Sequence, residues 1–265
     1  MAVFLTNGLS TPAQTAPDGA RRILILNLMP NRAEVERQYA KLLGAVSDQL
    51  QEDIALIFAV PSTHQFKHDV ADVYRHYAFL ADVVDDYFDG VIATGAPLDQ
   101  VSFETVDYWA ELQRFFTWTK THATQSIWSC WSASAFNYAH GIAVQRLAEK
   151  QFGVYQTPVG SAWLPQNHVS APHSRWFKLS LAQDGVIAGD ENLGAVIVQQ
   201  QQNLLLAGHH EYGADVLWQE YTRDQHRGLA QLPPENGAVL LQAQVAPWFE
   251  DAVTLYTAWF EQWWR

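Results

Sequence analysis

One cysteine, Cys130, occurs in 265 residues, and methionine is nearly as scarce, with two. A single thiol excludes an intrachain disulfide framework and a cysteine-rich zinc site, and it suits a reducing compartment. Basic residues are few as well: 16 Lys+Arg stand against 28 Asp+Glu, a formal net charge of −12. That balance argues against nucleic acid or an anionic membrane face as the main partner, because both need clustered cations. No apolar run reaches the roughly 18 residues of a spanning helix, and Met1–Ser10 has no basic start of the secretory kind, so the chain reads as cytoplasmic. Glycine-rich phosphate loops of the Walker or dinucleotide type are missing, and so are internal repeats.

What is present is apolar and aromatic, at 48% and 13% of the residues, enough to exclude disorder as the main state. Residues 1–22 read as an N-terminal segment, with a Pro- and Gly-bearing surface loop over Thr11–Ala20. Residues 23–265 read as one domain. Its first strand is the continuous apolar run Ile23–Leu28, of the type buried on both faces of a parallel sheet, and Pro30 ends it. Val35, Tyr39, Leu42, Leu43 and Val46 follow at helical spacing, and Ile54–Val60 is a second buried strand. Asp89–Ala93 is the third, Tyr108–His122 an aromatic helix and Ser126–Ser129 the fourth strand. Strand and helix in alternation predict an α/β fold, a mostly parallel sheet flanked by helices, with ligands at the carboxyl ends of the strands. Later, Gly194–Gln199 and Leu204–Gly208 read as a hairpin turning at Gln200–Asn203.

Cys130 stands between the apolar strand end Ile127–Ser129 and a run of small residues, Ser132–Ala135, that opens a helix. A nucleophile on such an elbow is lifted out of the sheet, and the helix N-terminus favours negative charge beside it. The competing reading is a buried cysteine packed as a small hydrophobe. Downstream, the strand Leu204–Gly208 ends in His209-His210-Glu211, which puts His209 and Glu211 on one side. An imidazole there can take a proton from a thiol, and a carboxylate two residues on can hold its tautomer. His210 reads as a structural histidine with its hydrogen bonds satisfied.

The order Cys then His-x-Glu on an α/β sheet resembles the class I glutamine amidotransferases. The neighbouring segments resemble a narrower group, the homoserine O-acyltransferases (homoserine O-acetyltransferases and O-succinyltransferases). They are Asn27-Leu28-Met29-Pro30 with Glu36 and Gln38; Thr94-Gly95-Ala96-Pro97-Leu98; Cys130-Trp131; Glu149-Lys150 with Gly153-Val154-Tyr155; Ala171-Pro172-His173-Ser174-Arg175; and Gly208-His209 with Glu211-Tyr212. The resemblance implies a class I glutamine amidotransferase-like fold and acyl transfer in methionine biosynthesis. No cofactor or metal is implied, and acetyl-CoA enters as co-substrate. It implies Cys130 as the acylated residue, His209 as proton acceptor and Glu211 as its partner. Lys150, Ser174 and Arg223 are implied to contact the amino-acid substrate, and Asp99 to set acyl-CoA specificity. Trp131 and the loop ending at Leu98 are the oxyanion donors expected from this arrangement, since Pro97 has no N–H.

Departures from the family pattern fall around the pocket rather than on the triad. Asn31-Arg32 replaces two lysines, Thr157 a histidine and His210 a proline, and the chain is shorter between Lys150 and Ser174. L-Serine therefore stands beside L-homoserine as acceptor, and succinyl-CoA beside acetyl-CoA as donor. A class I glutaminase or a binding module with a relic triad are the other classes. His64 and His68, at i, i+4 spacing without a third ligand nearby, read as solvated residues. Val253, Tyr256, Phe260 and Trp263-Trp264 mark a C-terminal aromatic helix, for core packing or for subunit packing in a homodimer.

Overall fold

The apolar runs read as buried strands all enter one sheet. A computed structural model describes residues 1–67, 70–229 and 232–264. In chain order its elements are β1 (Val3–Leu5), β2 (Arg21–Leu26), α1 (Arg32–Leu50), β3 (Ile54–Val60), α2 (Val70–His76), β4 (Ala78–Phe79) and β5 (Gly90–Ala93). Next come α3 (Trp109–His122), β6 (Ser126–Ser129), α4 (Trp131–Ala139), β7 (Val144–Pro158), β8 (His168–Leu179) and β9 (Val186–Asp190). The chain ends with β10 (Gly194–Gln200), β11 (Asn203–Leu206), α5 (Val216–His226) and α6 (Phe249–Glu261).

The strand order is β1-β3-β2-β5-β6-β11-β10-β8-β7, with β4 beside β3 and β9 beside β10. From β1 to β11 every neighbouring pair is parallel; beyond β11 the pairing turns antiparallel. Strand alternation sorts the side chains onto two faces. Ile23, Ile25, Leu204 and Leu206 join the core under α1 and α6, whereas Leu24, Leu26 and Leu205 join the core under α3 and α4. Of the two packings expected for the C-terminal aromatic helix, the core one is observed: Tyr256, Trp259 and Phe260 are fully buried against the sheet and α1. Among the described residues no helix is long and apolar enough to cross a membrane.

Two features differ from the sequence reading. Residues 1–22 contribute a strand, since Val3–Leu5 pairs in parallel with Ile54–Leu56, and the amides of Leu9 and Ser10 bind the buried Glu36 carboxylate at 2.8 and 2.6 Å. The long β7–β8 ribbon was not foreseen. Its register breaks where Leu147–Lys150 of β7 faces the single residue Trp176 of β8. Such a bulge re-aims a side chain, and Lys150 is the residue at its end. The hairpin at Gln200–Asn203 is as expected, with Gln201 at φ 54°.

Candidate active site

Parallel pairing decides which residues meet. Ser129 and Leu206 are partners in register, so β6 and β11 end together, and the Cys130 amide donates to the Leu206 carbonyl at 2.7 Å. Cys130 then turns the chain at φ 51°, ψ −114° into α4, a backbone that a residue bearing Cβ adopts only when its surroundings enforce it. Ser132 helps to enforce it, its hydroxyl donating to the carbonyls of Ala93 (3.0 Å) and Ser129 (2.9 Å). No side chain caps α4. The Trp131 amide, in the first helical position, therefore belongs to the set that has no intrahelical acceptor.

His209 reaches the thiol from β11. Gly208 permits the approach, since a Cβ there would meet Ala171 Cβ at 3.0 Å and the Pro172 carbonyl at 3.1 Å. The His209 amide donates to Pro172 at 2.8 Å, its Nδ1 pairs with Glu211 Oε1 at 2.8 Å, and the other side of the ring faces Cys130 as a hydrogen-bonding neighbour. Gly95 closes the third side: a Cβ there would lie 3.0 Å from His209 Cε1 and 3.3 Å from Cys130 Cβ. Tyr212 lies flat on the imidazole. Burial opposes charge on His209, but Cys130 and Glu211 outweigh it and hold the pKa well above the usual histidine range. Burial pushes the Cys130 thiol up, with the His209 charge pulling against it, so thiol and imidazole titrate as a pair.

The expected substrate residues gather around a carboxylate that the sequence did not single out. Glu220 accepts from Ser174 Oγ (2.6 Å), Tyr212 Oη (2.9 Å) and Lys150 Nζ (3.4 Å), and Asp224 stands 3.7 Å from the same ammonium. Glu220 and Asp224 are four apart on α5, one helical face, and that spacing was the available signal. Arg223 stays at the rim: its side chain is 48% exposed and its Nε binds Asp224 at 2.8 Å. Arg175 goes inward, fully buried, with Nε to His173 Nδ1 (2.9 Å), Nη2 to the Leu193 carbonyl (2.8 Å) and Nη1 to the Phe177 carbonyl. Burial lowers its pKa to about 10, though it remains cationic at neutral pH. Its alternation with Ser174 along β8 puts the two on opposite faces.

Asp99 follows the β5 loop and has a buried Oδ1 with no protein hydrogen-bond partner. Burial pushes its carboxyl up to about 7, against the pull of His209, Lys150 and Arg175. Leu98, expected as an oxyanion donor, instead gives its N–H to the Ala96 carbonyl at 2.8 Å, because the chain closes a tight turn across Pro97. The loop residue against the thiol is Gly95. His210 is buried as a structural histidine would be, but neither ring nitrogen has a protein partner, and burial pushes its pKa down to about 4. It is therefore neutral. His64 pairs with Asp107 at 2.9 Å and is part-exposed; His68 lies outside the described residues.

Residues 10–264 match the family described as homoserine O-succinyltransferase. A homoserine O-acetyltransferase of Leuconostoc mesenteroides is 38% identical over 252 residues, covering 89% of this chain and 81% of that protein. One from Bacillus mycoides is 36% identical, covering 82% and 76%. Among solved structures, a glutamine amidotransferase from Thermotoga maritima superposes with a TM-score of 0.62 at 12% identity, covering 92% of this chain and 97% of that one. A glutamine amidotransferase of Methylobacillus flagellatus gives 0.59, also at 12%, covering 92% and 93%. These two likenesses show the fold alone.

Proposed function

The chain belongs to the homoserine O-succinyltransferase family, and we propose that it moves an acetyl group from acetyl-CoA to the side-chain hydroxyl of L-homoserine through a thioester on Cys130. It would serve methionine biosynthesis in the cytoplasm, with no cofactor. The observation that carries this reading is the meeting of a strained Cys130, the His209 imidazole and the Glu211 carboxylate at the ends of β6 and β11.

In the first half, His209 takes the Cys130 proton and the thiolate attacks the thioester carbonyl. The carbon–sulfur bond to coenzyme A then breaks, and the departing sulfur receives the proton from His209. In the second half, His209 takes the proton of the acceptor hydroxyl, the oxygen attacks the acyl-cysteine, and the Cys130 sulfur leaves and is reprotonated. Both halves pass through an oxyanion, so one donor set serves both. The Trp131 amide and the N-terminus of α4 are that set. Glu211 orients the imidazole and stabilises its charged form.

The acceptor lies on the side of Glu220. An α-ammonium suits the Glu220 and Asp224 carboxylates, and Arg223 and Lys150 offer the cations that an α-carboxylate needs, with Ser174 beside them. Asp99 favours acetyl over succinyl, because the second carboxylate of a succinyl group would stand near it. Intact-mass analysis after mixing with acetyl-CoA tests the reading: one acetyl group on Cys130, discharged by homoserine, is the expected result. Ammonia release from glutamine without acylation would assign the triad to a glutaminase, and discharge by serine in preference to homoserine would change the acceptor.

A further inference from the structure

Two carboxylates, Glu220 and Asp224, stand on the side proposed for the acceptor, and one α-ammonium needs only one of them. Their surroundings divide the work. Glu220 accepts from two hydroxyls, Ser174 Oγ and Tyr212 Oη, and from one cation, Lys150 Nζ. Asp224 instead pairs with two cations: its Oδ1 takes Arg223 Nε at 2.8 Å, and its Oδ2 stands 3.7 Å from Lys150 Nζ. Among the described residues it is the one group that pairs with both.

The two cations reach Asp224 from different elements. Arg223 precedes it on α5, and consecutive helical residues point about 100° apart, so they do not face one another. The Arg223 side chain is 48% exposed and that of Asp224 only 7%, so the bond between them draws the guanidinium round the helix, away from solvent and towards the face that bears Glu220. It uses Nε, which leaves the edge formed by the two Nη atoms to grip a carboxylate end-on. No other carboxylate among the described residues pairs with Arg223. Lys150 arrives at the end of the β7 bulge, its ammonium also 4.4 Å from the centre of the Phe152 ring. One buried carboxylate thus ties together two cations carried by a helix and a strand. The four formal charges of Lys150, Arg223, Glu220 and Asp224 cancel, which suits a zwitterionic amino acid.

We infer that Asp224 is a positioning residue of the acceptor site: it holds the Arg223 guanidinium and the Lys150 ammonium at the spacing that receives the α-carboxylate, and it leaves the α-ammonium to Glu220. The inference rests on the acyltransferase reading and divides the acceptor pocket between its two carboxylates. Two acceptors separate the roles: L-homoserine, and 3-aminopropan-1-ol, which keeps the hydroxyl and the ammonium but has no carboxylate. Asp224→Asn removes the charge at constant size, and acetylation of Cys130 by acetyl-CoA at the wild-type rate checks that the variant is folded. Its homoserine KM is expected to rise about tenfold or more with kcat within about threefold, while discharge of acetyl-Cys130 by 3-aminopropan-1-ol stays within about threefold of wild type. Asp224→Glu keeps the charge but displaces it by one methylene; it carries the same expectation, and it decides the matter if the asparagine variant does not fold. A double-mutant cycle with Arg223→Ala, read on homoserine alone, gives an independent measure: Arg223→Ala should cost less in the Asp224→Asn background than in wild type, because the guanidinium is already out of place. Equal losses with both acceptors would make Asp224 a ligand of the ammonium and overturn the assignment. So would an unchanged homoserine KM, or effects of Asp224→Asn and Arg223→Ala that simply multiply. The wild-type protein tests the underlying reading separately: if acetyl-CoA does not acetylate Cys130, or homoserine does not discharge it, the acyltransferase reading falls and the role of Asp224 with it.

Discussion

Tyr212 lies on the His209 imidazole, with ring centroids 4.1 Å apart and planes 16° apart, and the same tyrosine donates its hydroxyl to Glu220. One side chain thus joins the imidazole proposed as proton carrier to the pocket proposed for the acceptor. Removing only the hydroxyl in Tyr212→Phe keeps the stack and frees one acceptor position on Glu220, so the homoserine KM should change with kcat near wild type. Tyr212→Ala should also lower kcat by up to about tenfold, since a ring pair contributes about 0.5–1.5 kcal/mol beyond buried area. Steady-state kinetics of the two variants check this, and identical KM and kcat changes in both would mean that the ring stack adds nothing beyond the hydroxyl.

The triad makes a sharper demand. Cys130→Ala should carry no acetyl group and turn over no substrate, and His209→Ala should lose roughly 10²–10⁴-fold, the usual range for a positioned acid–base group. Glu211→Gln should lose less, because the imidazole keeps its place. His210→Ala separates structure from chemistry: it empties a buried site, so the melting temperature should drop while turnover persists. Equal activity losses from the His209 and His210 variants would sink the choice of base.

Much of this arrangement was legible in the chain because parallel strands buried on both faces are written as unbroken apolar runs. Ile54–Val60 and Ser126–Ser129 emerge with the predicted bounds. Cys130 and His209, proposed as nucleophile and base, stand out in the chain because each follows such a run at its carboxyl end. The β7–β8 ribbon could not, since Val144–Gln151 mixes charged and helix-favouring residues and a bulge interrupts its alternation. Glu220 was hidden for a related reason: an acidic residue on an amphipathic helix reads as solvated until a folded neighbour such as Ser174 is seen to point at it. Arg175 sat in a quoted motif without a role, and only the inward face of β8 shows it to be buried.

Arg223 tests the rim of the pocket proposed for the acceptor. Its guanidinium is half-exposed and bound to Asp224, so its capacity for a bidentate grip on a substrate carboxylate is only partly engaged. Arg223→Lys keeps the charge and loses the fork. The acceptor KM should rise while acetylation of Cys130 proceeds as before; an unchanged KM would remove Arg223 from the site.

Asp99 gives the donor preference a pH dependence whose sign follows from its burial. Its carboxyl is pushed up to about 7, so it is mostly neutral below that value and mostly anionic above it. A succinyl carboxylate is anionic throughout this range, whereas an acetyl group has no charge to repel. Below about 7 a protonated Asp99 tolerates the succinyl group and can donate a hydrogen bond to it. Above about 7 two carboxylates at roughly 4 Å repel by about 1–4 kcal/mol, depending on how far water screens them. The ratio of kcat/KM for acetyl-CoA to that for succinyl-CoA should therefore rise with pH through the neutral range, by about fivefold or more. The ratio cancels the titration of the Cys130–His209 pair, which both donors share. Asp99→Asn should flatten the dependence, and Asp99→Gly should shift the preference toward succinyl-CoA at every pH. A wild-type ratio independent of pH would place the Asp99 carboxylate away from the acyl group and leave the chemistry at Cys130 untouched.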